Sequence, residues 1–143
     1  MDVRDCFNKG LLVKIRPSDN KVKQSLKSAE SSLRKAKDNI NIDNMDVAVV
    51  MAYTAMFHSF RALLFLDGIK ERSHVCMLEY IKEKFPLLKN LAKEADAYRR
   101  FRHTALYGLE VLVSKDDAVA AIRLAEEIAA SVMETLQGKV KKI

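Results

Sequence analysis

The sequence predicts an all-α protein, an up-and-down bundle of four to five helices. Glycine and proline are scarce, at 4 and 2 of 143 residues, which favours long helices with few tight turns. Apolar residues make up 49% and charged residues 31%, a balance typical of a globular chain. Apolar side chains also recur every three or four positions along most of the sequence. The length fits one domain.

The chain is predicted to divide into an N-terminal arm (1–17), a helical bundle (18–137) and a basic tail (138–143). The arm carries a short apolar piece, Leu11–Ile15, that is helical or extended. Ser18 follows a proline and is a suitable N-cap, which predicts a first bundle helix over about Asp19–Asn39. Its apolar face consists of Val22, Leu26, Ala29, Leu33, Ala36 and Ile40.

The second bundle helix, about Met45–Leu66, is apolar on nearly every side, so we expect it at the centre with neighbours all round. Its apolar stretch is interrupted by polar residues such as His58 and Arg61, which indicates a buried helix rather than a membrane span. Gly68 is the expected C′ residue that ends it. Tyr53 on this helix is predicted to be a core aromatic with a satisfied hydroxyl, and His58 a satisfied core histidine.

Three further helices complete the predicted bundle. Ser73 caps a short helix over His74–Lys84, where a structural hydrogen bond is expected for His74. Pro86 separates it from a helix over about Leu87–Tyr107. Ser114 caps the last helix, whose buried stripe is predicted to be Ala118, Ala121, Ala125, Ile128, Val132 and Leu136.

Composition narrows the function classes. The net charge of +6 permits nucleic acid or an acidic partner without requiring either. Cys6 and Cys76 give no disulfide framework and no metal spacing, and Cys76 is expected to be a buried small residue. No metal site, cofactor, secretory signal or membrane association is predicted, and a reduced cytoplasmic setting is the expected location.

The candidate functional stretch is 97–108, within the fourth bundle helix. Arg102 occupies a slot on a predicted apolar seam that is made of Leu88, Leu91, Ala95, Tyr98 and Ala105. Arg99, His103 and Tyr107 are spaced four apart on an adjoining polar stripe. Arginines beside an imidazole and a phenol can form a phosphate-binding surface. A solvated basic helix face with one snorkelling arginine is the alternative.

Several short sequence segments, and their order along the chain, resemble one branch of the HEPN family. Members of this family are small helical domains of prokaryotic toxin and nucleotide-linked systems. They are the run 52–64 (AYTAMFHSFRALL), then Asp67-Gly68-Ile69, then Ser73-His74. The resemblance covers roughly Ser25–Leu136 and implies a HEPN-like bundle that pairs into a two-fold homodimer. It also implies RNA or nucleotide as ligand and a toxin–antitoxin-like partnership with a separately encoded minimal nucleotidyltransferase.

The HEPN signature is an arginine, a polar residue, three more residues and a histidine. Arg102 and His103 match its first two positions, but Tyr107 stands where the histidine belongs. Tyrosine titrates near 10 and is a poor base near neutral pH, where histidine serves well. In some HEPN toxins a tyrosine two residues after that histidine accepts AMP; the matching residue here is Leu109, which leaves Tyr107 as a substitute acceptor.

Three functions follow as hypotheses. In the favoured one, Arg102 and Arg99 bind nucleotide or RNA phosphate in a dimer cleft. The second is an active metal-independent ribonuclease toxin whose catalytic residues are Arg102 and His103, with Tyr107 as a further candidate. The third is a helical dimerisation module without a ligand, in which Arg102 only pairs with an acidic group.

Overall fold

The structure, a computed structural model, describes residues 1–106 and 112–141, without the side chains of residues 103, 105, 106 and 139–141. The described part contains six helices and one two-stranded sheet. In chain order these are α1 (Val3–Asn8), β1 (Leu12–Lys14), α2 (Asp19–Asn41), α3 (Met45–Leu66), β2 (Ile69–Glu71), α4 (His74–Lys84), α5 (Lys89–Leu106) and α6 (Lys115–Lys141). A short 3-10 turn, Pro86–Leu88, precedes α5.

The predicted all-α bundle is confirmed, and its helices begin where the capping residues indicated. The hydroxyls of Ser18, Ser73 and Ser114 each accept a hydrogen bond from the backbone amide three residues on, at 3.2, 3.2 and 3.0 Å. The backbone amide of Ser114 donates in turn to the carboxylate of Asp117, at 3.1 Å, which completes a capping box. Because these caps satisfy orphan amides, they fix the starts of α2, α4 and α6.

Helix α3 is the centre of the bundle, as its sequence predicts. It packs against α2 and α6, and on other sides against α4, α5 and β2. By length and composition α3 could cross a membrane, but 61% of its most apolar window is buried inside the bundle, as in the core helix of a folded domain. Its largest completely covered side chains are Tyr53, Met56, Phe60, Leu63 and Leu64.

The outer helices bury the predicted stripes. All six stripe residues of α6 are buried, while on α2 the small residues Ala29 and Ala36 are buried with Val22, and the longer ones are partly covered. Helix α6 continues to Lys141, so residues 138–141 of the predicted tail are helical. Residues 142 and 143 lie outside the described residues.

The N-terminal arm folds back onto the bundle, a question that the sequence left open. Its strand β1 pairs antiparallel with β2, Leu12 opposite Glu71 and Lys14 opposite Ile69. Gly68 precedes β2 with φ +71°, and a Cβ there would lie 2.6 Å from a backbone oxygen of the arm. Glycine is therefore required both for the helix end and for the approach of the arm.

A disulfide joins the arm to the bundle, which corrects the expectation that the two cysteines give no disulfide framework. Cys6 of α1 and Cys76 of α4 are completely buried and bonded to each other, with their Cα atoms 5.8 Å apart. No local pattern indicates this pairing, because 70 residues separate the two cysteines. Since α1 packs against the start of α4, folding brings the thiols together and ties α1 to the helix that carries His74.

Candidate functional site

The inner face of α5 changes from apolar to cationic along its length. Ala92 and Ala95 are completely buried, and Arg99 and Arg102 follow them at the spacing of one helix face, half-buried. Leu91 and Tyr98 of the predicted seam are partly buried and pack against the core. The two arginines share one face because their positions continue the spacing of the buried alanines.

Opposite these arginines, α3 and α4 present a hydrogen-bonded pair. The hydroxyl of Tyr53 lies 2.7 Å from Nδ1 of His74, and Tyr53 is buried. Both predicted structural roles, a core tyrosine with a satisfied hydroxyl and a hydrogen-bonded His74, are confirmed. The hydroxyl can donate to a bare Nδ1 or accept from a protonated one, so the bond forms with either neutral tautomer.

Arg102 and Arg99 lie close enough to this pair to act on its protonation. Burial raises the pKa of Tyr53 well above its ordinary value, and Arg102 and Arg99 oppose that rise. Burial also lowers the pKa of His74, and here Arg102 and Arg99 act in the same direction. Near neutral pH the site therefore holds a protonated phenol and a neutral imidazole beside two guanidinium groups.

The two arginines differ in their counter-ions. Arg99 Nε is 2.7 Å from Asp96 Oδ1, and Arg100 contacts the other oxygen of the same carboxylate at 3.2 Å. Arg102 forms no ion pair or hydrogen bond with the described part of the chain. It is consequently the cation of this face best able to receive an anionic ligand.

His74 links this site to a second cationic group on α3. The ring of Phe57 stacks on the imidazole of His74, with centroids 4.2 Å apart. The guanidinium of Arg61 lies 5.8 Å from the Phe57 centroid on α3, and Arg61 and His58 also lower the pKa of His74. His58 departs from its prediction, because its buried Nδ1 has no hydrogen-bond partner among the described residues.

Part of the predicted signature lies outside what the structure describes. The backbone of His103 belongs to α5, but its side chain is outside the described set. Tyr107 and Leu109 lie outside the described residues altogether. Their predicted roles stay predictions. No group of three histidine, cysteine or acidic side chains within 1–106 and 112–141 is arranged to hold a metal ion.

Sequence reasoning treated Tyr53 and His74 as structural and did not connect them with Arg102. These residues lie on three different helices, and 49 residues of chain separate the first from the last. A histidine at a capped helix start next to a central helix was the available signal. Proximity to the arginines depends on how α4 and α5 pack against α3, which no local pattern contains.

The comparisons agree with this architecture. A family model described as HEPN domain matches residues 22–136, from the first turn of α2 to the last turns of α6. No curated protein matches the chain. The match includes the helices that carry Arg61 and Arg102, and it supports a helical domain with a nucleotide- or RNA-related role. The chain belongs to the HEPN family.

Proposed function

We propose that this HEPN protein binds the phosphate of a nucleotide or of RNA at Arg102, with Arg99 adding positive potential. In this proposal the site lines a cleft between two copies of the chain, and the chemistry belongs to a toxin–antitoxin-like system with a separate minimal nucleotidyltransferase. The observation that carries it is Arg102 itself, half-buried beside Tyr53 and His74 and without an acidic partner in the described part.

A phosphate is the ligand that this arrangement suits. A guanidinium offers five donors in a planar fork that matches phosphate oxygens. Partial burial strengthens such a contact, because less water competes for the charges. Arg99 is held by Asp96, so its charge is partly offset, and the main direct contact falls to Arg102. The neighbouring phenol and neutral imidazole add polar groups without adding negative charge.

Apolar surface beside this face supports the dimer in the proposal. Tyr98, Phe101 and Leu112 line a pocket of about 380 Å³ between α5 and the start of α6, and Leu112 is completely exposed. Exposed apolar surface that adjoins a polar site is typical of protein interfaces. A second copy that covers this surface would bring its own Arg102 towards the same cleft.

An active metal-independent ribonuclease is the second candidate, and one observation favours it. Cleavage through the RNA 2′-hydroxyl requires a base that is neutral near pH 7. The sequence offered His103 for this role together with Arg102. His74 is another candidate, because its lowered pKa keeps the imidazole neutral beside Arg102. Under this reading His74 or His103 acts where the HEPN signature has its own histidine.

The test compares Arg102→Ala with Arg100→Ala on purified full-length protein, at low salt and with EDTA. Arg100 is the matched control, since it removes the same charge from the same helix but has a side chain 74% exposed. Loss of a charge-assisted phosphate contact should weaken RNA or AMP binding about tenfold or more in Arg102→Ala. Arg100→Ala should change affinity by about twofold at most.

Other results separate the candidates. RNA cleavage that leaves 2′,3′-cyclic phosphate, vanishes in Arg102→Ala and falls in His74→Gln would establish the ribonuclease. The ligand-free dimerisation module predicts two results together: the wild-type protein binds no ligand, and Arg102→Ala changes only the dimer dissociation constant, measured by sedimentation. Equal losses in Arg102→Ala and Arg100→Ala would refute a specific site at Arg102.

A further inference from the structure

A second cationic pocket lies between α2, α3 and β2. It has a volume of about 310 Å³, at the low end of the range of about 300–1,000 Å³ that small-ligand sites occupy. Lys21 of α2, Arg61 of α3 and Lys70 of β2 contribute its positive charges, and His58 of α3 contributes an imidazole. None of these residues belongs to the signature stretch 97–108.

Arg61 is fixed in this pocket by the carboxylate of Glu71 and by two aromatic rings. Its Nε lies 3.3 Å from Oε1 of Glu71, whose side chain is 8% exposed. The guanidinium carbon lies 5.0 Å from the centroid of Phe65 and 5.8 Å from that of Phe57, so both rings hold the fork in place. The ion pair is not aligned as a hydrogen bond, and the buried Nε has no hydrogen-bond partner among the described residues.

His58 supplies a second unpartnered polar atom at the same pocket. Its Nδ1 is buried and accepts or donates no hydrogen bond within the described part of the chain. Burial and the nearby Arg61 lower the pKa of His58, so the imidazole is neutral near pH 7. His58 therefore contributes a neutral polar side chain to the pocket wall and adds no charge that would oppose an anion.

The charges and remaining walls of the pocket match a phosphate group. Three cations against the single carboxylate of Glu71 leave a local net charge of two positive charges. A phosphomonoester carries about −1.5 to −2 charges near pH 7 and offers several acceptor oxygens. Gln24, Ser25 and Ser28 on α2 add an amide and two hydroxyls to the wall opposite Arg61.

We propose that this pocket, with Arg61 and His58 at its base and Lys21 and Lys70 at its rim, binds a phosphomonoester as a second anion site of the protein. It is independent of Arg102, and only the choice between a free nucleotide and an RNA end as the carrier rests on the proposed function. Both carriers present the same terminal phosphate, so the experiment distinguishes them by separate titrations.

The test uses the full chain in an Arg102→Ala background, so that binding at the first site does not contribute. Inorganic phosphate, chloride, AMP, adenosine and a short RNA with or without a 5′-phosphate are titrated separately by calorimetry at constant ionic strength. Arg61→Lys preserves the charge that faces Glu71 but removes the planar guanidinium fork. The double variant Lys21→Ala with Lys70→Ala alters only exposed side chains. Lys35→Ala with Lys93→Ala is the matched control, two exposed lysines elsewhere on the surface.

We expect AMP to bind more tightly than adenosine, and the affinity to fall about tenfold in Arg61→Lys and about fivefold in the Lys21/Lys70 variant. The control pair should stay within about twofold. RNA that binds only when it carries a 5′-phosphate would identify an RNA end, and equal RNA affinities with tight AMP binding would identify a nucleotide. Phosphate that binds no better than chloride, or equal losses in the control pair, would overturn the pocket whatever Arg102 does.

Discussion

Two half-buried arginines, Arg61 on α3 and Arg102 on α5, differ in what neutralises them. Arg61 faces the buried carboxylate of Glu71 and lies over Phe57 and Phe65. Arg102 has no acidic partner among the described residues, and its nearest titratable neighbours are the phenol of Tyr53 and the imidazole of His74. Burial of a charge is tolerated in the first case by pairing and in the second by partial exposure.

These surroundings indicate which of the two arginines stabilises the fold. Removal of Arg61 leaves a nearly buried carboxylate without its counter-charge, whereas removal of Arg102 leaves only neutral groups behind. We therefore expect Arg61 to contribute to both folding and ligand binding, and Arg102 to binding alone. Five predictions test this division, beginning with the variant that we expect to be least stable.

Arg61→Ala should lower the free energy of unfolding by about 2–3 kcal/mol, because Glu71 is left buried and unpaired. Chemical denaturation followed by circular dichroism measures the loss. The double variant Arg61→Met with Glu71→Met should recover much of it, since neither charge remains buried. A double variant as unstable as the single one would mean that Arg61 acts by packing rather than by pairing.

Tyr53→Phe should lower the free energy of unfolding by about 1 kcal/mol, since the 2.7 Å hydrogen bond to Nδ1 of His74 is lost. Tyr98→Phe is the matched control, because it removes the same atom from a partly covered ring on α5. Thermal and chemical unfolding of both variants measure the difference. Equal effects of the two substitutions would argue against a stabilising Tyr53–His74 bond.

The stability should fall with acidification below pH 6.5, in part through His74. Its pKa in the folded protein is below the ordinary value of 6.5, because burial and then Arg102 disfavour the charged ring. Between those two pKa values the unfolded chain binds a proton that the folded chain does not, so the contribution of His74 is complete above pH 6.5 and is lost as the pH falls. His74→Gln should flatten this slope in unfolding experiments between pH 5 and 7.5.

The same histidine compares the two arginines directly. Arg102→Ala should raise the pKa of His74, measured by NMR titration, more than Arg61→Gln does, because Arg102 is the stronger of the two influences. Arg100→Ala should leave that pKa unchanged. A larger shift of the His74 pKa in Arg61→Gln than in Arg102→Ala would mean that Arg61, and not Arg102, is the main cation near His74.

Arg102→Ala should change the free energy of unfolding by no more than about 0.5 kcal/mol, since the side chain is partly exposed and unpaired within the described chain. Denaturation at a protein concentration where the oligomeric state is unchanged measures this. A loss as large as that of Arg61→Ala would make Arg102 a structural residue and would weaken its proposed role in phosphate binding.

Most of the fold could be predicted from local pattern. The serine caps fixed the starts of α2, α4 and α6, and the all-round apolar surface of α3 placed it at the centre. The stripe of α6 was predicted residue by residue because 3.6-residue periodicity is a local property. The arm was not predictable, because its strand and its disulfide both depend on partners more than 50 residues away.

The candidate site was predicted on one helix and missed on the others. Arg102 stood out because a charge in an apolar pattern is visible in sequence, although Arg99 shares its face rather than the adjoining one. Tyr53 pairs with His74, and both lie near the arginines, because of how α3, α4 and α5 pack. The pocket at Arg61 likewise joins residues of α2, α3 and β2.

Local sequence pattern is sufficient to predict the helices, their caps, the central position of α3 and the presence of an arginine where an apolar residue was expected. Each depends on periodicity and on hydrogen bonds between near neighbours in the chain. Which polar groups meet, and which charges are offset, depends on how the helices pack. Glu71 lies against Arg61, Asp96 pairs with Arg99 and Arg100, and His74 lies beside Arg102. Electrostatic and hydrogen-bond energies depend on distance in space, which the order of residues does not specify.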